Sequence, residues 1–222
     1  MQTEAVQRLR ITYGVDGPLR YLSVLDMGRL WERLLRRARL PLAFTQGFNP
    51  HPRMAFAAPL PVGYSSTHEV LDVYLGAIVA PEGALAAICA ESPVGLCLQS
   101  VVEVPLSAPP MQAIMRAAAY EVAAWSAASP EQMRQCLQWA LDSDALLYER
   151  VRAGRTQSID LRPLLLKARY LGQDEAHRLE LTMVCSPQGA GRPEELLAAL
   201  EIGESHWAVC RSRLYWDAHT EE

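Results

Sequence analysis

The chain has 222 residues, half of them hydrophobic and 21% charged, with a formal net charge of −4. That length and balance support one large domain or two of about 100 residues each, and exclude a disordered chain. No apolar run reaches the roughly 18 residues that a membrane-spanning helix needs, and the opening MQTEAVQRLRITYG has neither the basic nor the apolar part of a signal peptide. A soluble, cytoplasmic protein without a membrane partner is the expectation.

In chain order, LRITYGVDG alternates and then turns, which predicts a strand. A helix follows. Ser23 and Asp26 fit the S-x-x-D form of a capping box, and Met27, Leu30, Trp31, Leu34, Leu35 and Ala38 recur at helical spacing, so one face looks into a core. RMAFAAPLPVG predicts a strand ended by its prolines, and HEVLDVYLG a second strand after the turn YSST. PEGALAAICAES reads as a helix with proline in its first turn, and GLCLQSVVEVPL as a closing strand. Beyond the break at PLSAPPM the order recurs: AAYEVAAW, helix SPEQMRQCLQWALD, strands RPLLLKARYLG and HRLELTMVC, helix RPEELLAALEI, strand HWAVCRSRLYW. This predicts an α+β protein of two tandem ferredoxin-like (split βαβ) units with antiparallel sheets, residues 1–107 and 108–222. An inserted hairpin, LLYERVRAGRTQSIDL, falls in the second unit where TQGFNPHPR falls in the first.

Five cysteines, Cys89, Cys97, Cys136, Cys185 and Cys210, are widely spaced among apolar residues and read as reduced core thiols. Without a C-x-x-C, no metal site and no cluster is expected in this chain. Twenty of the 21 basic residues are arginine, and Lys167 is the single lysine. Arg29, Arg33, Arg36 and Arg37 share the polar side of the first helix, where guanidinium groups can fork onto phosphates or stack on bases. A plain solvated face fits that stripe as well. In the loop GFNPHPR, Pro50 and Pro52 fix their own φ and hold Asn49 and His51 extended, a polyproline-like shape that suits recognition; a rigid turn whose histidine caps backbone groups fits it as well. Gly47, Phe48, Asn49, His51 and Arg53 therefore join the arginines as candidate RNA- or partner-binding residues. No catalytic residue is assigned. His51 is the sole acid–base candidate, because no H-E-x-x-H, phosphate loop or nucleophile elbow can be assembled and His177, His206 and His219 stand alone. GAGRP leads into a helix N-terminus where Arg192 is a candidate anion binder, although a helix start needing a turn explains it equally well, and Asp160 with Arg162 in SIDLRP predicts a structural ion pair.

The run GPLRYLSVLDMGRLWERLLRRARLPLAFTQGFNPHPRMAFAAPLPVGYSSTHEVLDVYL, with IDLRP and GRPEELLAAL later, resembles the bacterial radical SAM-linked proteins. These occur beside, or fused to, radical SAM proteins with a cobalamin-binding domain. The resemblance covers roughly residues 8 to 216, and GFNPHPRMAFAAPLPVG is its most specific part. It implies a partner that owns the iron–sulfur cluster and S-adenosylmethionine, with no cofactor in this chain. Gene neighbours of RNase E/G type and of the large ribosomal subunit tilt the implied substrate toward RNA or ribosomal components. At fold level, RAMP-type CRISPR RNA-processing proteins look similar too. An accessory subunit for RNA recognition is the leading expectation. Its alternatives are a metal-independent RNA-processing or RNA-modifying enzyme using His51, and a protein-binding structural adaptor.

Overall fold

Alternation and helical periodicity act on two stretches of chain in turn, and each produces its own set of antiparallel strands and helices. The computed structural model describes residues 4–152, 154–200 and 205–217. It divides into two compact units, Met1–Ile114 and Met115–Glu222. Both are α+β with antiparallel strands.

In the first unit, β1 (Gln7–Val15) buries Leu9, Ile11, Tyr13 and Val15, every second side chain, as a strand packed on helices must. β1 lies between β3 (Ser65–Leu75) and β4 (Leu96–Val104), and β2 (Met54–Phe56) pairs with β3, giving the order β4-β1-β3-β2. Helices α1 (Val24–Arg37) and α2 (Pro81–Glu91) connect β1 to β2 and β3 to β4. Trp31, Leu34 and Leu35 of α1 and Ala84 and Ile88 of α2 enter one core with Leu9, Ile11, Leu71 and Val73. Trp31 meets Tyr13 edge-on at 4.8 Å. A short helix α3 (Met111–Ile114) ends the unit.

The other face of this sheet carries buried charge. Asp72, fully buried, accepts from Arg8 at 2.6 Å and from Arg10 at 2.8 and 3.1 Å. Arg8 also donates to the carbonyls of Ala108 at 2.6 Å and Pro109 at 3.1 Å, so one cation fastens the sheet and the segment that leaves it. Sequence spacing hides this network, since residues 8 and 72 meet only through strand register.

In the second unit, β5 (Met115–Ser126) and α4 (Pro130–Asp142) precede a hairpin of β6 (Leu147–Arg152) and β7 (Arg155–Asp160). Then come β8 (Leu165–Gln173), β9 (His177–Ser186), β10 (Gly189–Ala190), α5 (Pro193–Ala199) and β11 (Ser205–Trp216). The order is β11-β5-β9-β8, with β10 paired to β9. α4 buries Met133, Leu137 and Ala140, spaced for one face.

Four local expectations differ from the molecule. The strand expected at 53–63 pairs over only Met54–Phe56, because Pro59 and Pro61 have no N–H to give a ladder. A complete capping box sits not at Ser23 but at Ser129, whose Oγ accepts from the Gln132 N–H while Gln132 accepts from the Ser129 N–H. Asp160 makes no ion pair with Arg162. Its carboxylate instead accepts the N–H groups of Leu146 at 2.8 Å and Arg162 at 3.0 Å, closing the neck of the hairpin. Cys89 and Cys97 are exposed and the other three cysteines half-buried, so none is a core thiol; Cys97 takes the outward side of β4 while Leu96 takes the inward one.

Candidate nucleic-acid interface

Helix α1 is started by Ser23, whose Oγ accepts from the Asp26 N–H at 3.2 Å and donates to the Asp26 carboxylate at 2.7 Å. That hydroxyl, followed by Arg29, holds the Asp26 carboxyl below its ordinary pKa. The helix ends where Arg39 adopts φ 56°, a left-handed stop. Along its outer side, Arg29 pairs with Asp26 at 3.0 Å, Arg36 with Glu32 at 3.0 Å, and Arg37 with Glu91 of α2 at 2.7 Å. Arg33 makes no ion pair among the described residues. Exposed pairs of this kind contribute little to stability, so these guanidinium groups can exchange a carboxylate for another anion at small cost.

After α1 the chain forms a loop with a closed neck. Thr45 donates its N–H to the His51 carbonyl at 2.8 Å, and the His51 N–H donates to Thr45 Oγ1 at 3.1 Å. Below them Phe44 bridges Pro52, and Arg53 donates its N–H to the Ala43 carbonyl at 2.8 Å. The tip is bent over residues 46–49 rather than continuously extended, and Gly47 at φ 131° supplies a backbone conformation that other residues resist. Pro52 is buried in the neck while Pro50 stays exposed, so the two prolines frame the tip.

The structure brings several expected residues together. His51 Nδ1 lies 3.8 Å from Glu32 Oε2, and the Arg36 guanidinium stands over the Phe44 ring at 5.3 Å, so the loop leans on the outer side of α1. Phe48, Asn49 and His51 project outward, Phe48 with its whole side chain in solvent. Arg53 stacks on the Tyr74 ring at 4.1 Å. Arg29 and Arg37 belong to the same helix but are held by Asp26 and Glu91 rather than by the loop.

Sequence reading missed Glu32 as the acid beside His51, and Phe44 and Tyr74 as stacking partners. Glu32 was legible as the residue four before Arg36. Tyr74 was not, because it lies 21 residues beyond Arg53 and meets it through the edge of β3.

Arg192 stands at the start of α5 with half of its side chain exposed and a nitrogen 3.9 Å from the Glu194 carboxylate. Glu194 and Glu195 already place negative charge in the first turn of that seven-residue helix, and this competes with an external anion. His177 is buried, with Nε2 donating to the Ala128 carbonyl at 3.0 Å and Nδ1 facing the Tyr170 hydroxyl at 3.1 Å, a satisfied structural histidine. His206 stacks flat on Trp125 at 4.8 Å, and His219 lies outside the described residues. Among the described residues no three His, Cys, Asp or Glu side chains are grouped to hold a metal ion, and no helix is long and apolar enough to cross a membrane.

No curated protein matches the chain. Residues 8–193 match the family described as an uncharacterized protein conserved in bacteria (DUF2344), and the chain belongs to that family.

Proposed function

We propose that this protein is an accessory, RNA-recognising subunit that presents RNA or a ribosome-related substrate to a radical SAM enzyme. One observation carries the RNA reading: Phe48 is fully exposed at the tip of a loop with a hydrogen-bonded neck, and Arg36 beside that loop stacks on Phe44. An exposed ring and planar cations on a pre-formed loop are what unpaired bases stack upon. The radical SAM partner, carrying the iron–sulfur cluster and S-adenosylmethionine and bearing a cobalamin-binding domain, comes from the resemblance of GFNPHPRMAFAAPLPVG and its flanks. A cytoplasmic location goes with that partnership. The two units are read as tandem ferredoxin-like folds, supported by the strand orders β4-β1-β3-β2 and β11-β5-β9-β8, which match once the β6–β7 hairpin and β10 are set aside.

The RNA reading is tested by fluorescence anisotropy with a labelled single-stranded RNA across a salt series. Binding should weaken with salt at a log–log slope of about −0.7 per phosphate contact, and Arg33→Gln with Arg36→Gln should reduce the slope by one to two such contacts. Phe48→Ala should weaken binding by roughly 1–3 kcal/mol at every salt concentration. Failure of the folded wild-type protein to bind any RNA would sink the reading. Affinity capture from native cells, with proteins and RNA identified, tests the partner: recovery without a radical SAM protein argues against it.

A second reading has one observation in its favour. His51 Nδ1 and Glu32 Oε2 lie 3.8 Å apart, beyond hydrogen-bond distance but near enough for the carboxylate to orient a general acid–base after a small approach. An RNA-processing enzyme using His51 would lose cleavage, and keep binding, in His51→Ala.

A further inference from the structure

The loop neck also borders an open groove of about 660 Å³, inside the roughly 300–1,000 Å³ range of small-molecule clefts. Glu4, Phe44, Thr45, Gln46 and Arg53 line it together with two alanines that add no bulk. Two opposite charges thus face one space. Arg53 and Glu4 make no ion pair with each other, or with any other residue, among the described residues.

We infer that this groove takes a guanine base, a deduction that rests on the RNA reading above and names which base it selects. Arg53 is held against the Tyr74 ring at 4.1 Å, and a stacked guanidinium keeps its in-plane N–H fork for an acceptor edge. A phosphate satisfies such a fork, but the Glu4 carboxylate in the same groove repels phosphate and rewards a ligand with N–H donors. Guanine offers both. Its O6 and N7 are adjacent acceptors that match a bidentate arginine, and its N1–H and N2–H₂ are adjacent donors that match the two oxygens of a carboxylate. Adenine and cytosine each present one amino group, and uracil a single N–H, so none fills both partners. Gln46, on the same groove, can donate or accept at the edge that remains.

The test compares UUGUU, UUAUU, UUCUU and UUUUU, and GMP against AMP, on the wild-type chain, Glu4→Gln and Arg53→Lys. UUGUU should bind roughly tenfold tighter than the other three, and GMP tighter than AMP, as one good bidentate contact allows. In Glu4→Gln that preference should fall to within about threefold while UUUUU binds as before, because only the donor-edge contact is lost. Arg53→Lys should also lose the preference, since an ammonium cannot fork. Equal binding of all four RNAs, with GMP no better than AMP, overturns the guanine assignment and leaves the RNA reading standing. Selective GMP binding with no RNA binding overturns the RNA reading and leaves the groove a guanine-nucleotide site. Binding of nothing overturns both. Full guanine preference surviving in Glu4→Gln removes the groove as its source.

Discussion

Each unit carries a segment between a helix and the next strand of its sheet, α1 to β2 in the first and α4 to β8 in the second, and the two segments are held in opposite ways. In the second unit the segment is the β6–β7 hairpin, and Arg150 on it grips Glu195 of α5 through two parallel hydrogen bonds of 2.6 and 2.5 Å. In the first unit the segment is the loop from Phe44 to Arg53, held by backbone bonds at its neck, with a bare aromatic ring at its tip. The buried ion pairs of that unit lie in the sheet, on Asp72. An insertion clamped by a bidentate pair is part of the scaffold. One tied at the neck, with only exposed contacts to α1, keeps the side chains of its tip for a partner, and this is why the candidate interface is placed on the first.

The largest effect should come from the sheet. Asp72→Ala leaves Arg8 buried without its anion and should cost about 3–5 kcal/mol in urea unfolding. A loss below about 1 kcal/mol would show that Asp72 does not hold the first unit together.

Next comes the clamp of the second unit. Glu195 raises the Arg150 guanidinium above its ordinary pKa by hydrogen bonding, and Glu195 itself is almost wholly buried. Arg150→Ala should therefore cost about 2–3 kcal/mol and open residues 147–160 to limited proteolysis. Unchanged cleavage would mean the hairpin is held by something else.

The loop of the first unit should behave conversely. His51→Ala and Pro50→Gly should change stability by less than about 0.5 kcal/mol, yet each should weaken RNA binding by ~1 kcal/mol, the first through a lost contact and the second through ordering entropy. If His51→Ala unfolds the protein as much as Arg150→Ala does, the contrast between the insertions disappears.

The smallest effect separates the helix caps that precede the insertions. Because Asp26 is depressed in the folded state, its contribution is complete above the unfolded carboxylate pKa of about 4 and is lost as pH falls through the lower folded value. The stability gap between wild type and Ser23→Ala should accordingly narrow on acidification. The matching gap for Ser129→Ala should not narrow, since Gln132 does not titrate. Thermal unfolding at pH 7 and pH 3 reads both.

Much of the fold was legible because it is local. The stripe Met27, Leu30, Trp31, Leu34, Leu35 announces α1, and alternation around Leu9, Ile11 and Tyr13 announces β1. Less of the interface was. The arginines and the loop stood out by residue type, whereas the Glu32 beside His51 and the ring beneath Arg53 did not.

Sequence by itself determined the periodicities, the proline and glycine stops and the repeated order of elements, all of which depend on residues within a few positions of one another. Tertiary structure decided which charges are neutralised and which remain free. Arg37 could not be known to face Glu91, nor Arg8 to face Asp72, nor Arg53 and Glu4 to share a groove without touching. The physical reason is that a charge takes its partner from whatever strand register and helix packing place within a few ångströms, and a shift of one residue in a strand turns each side chain to the other face.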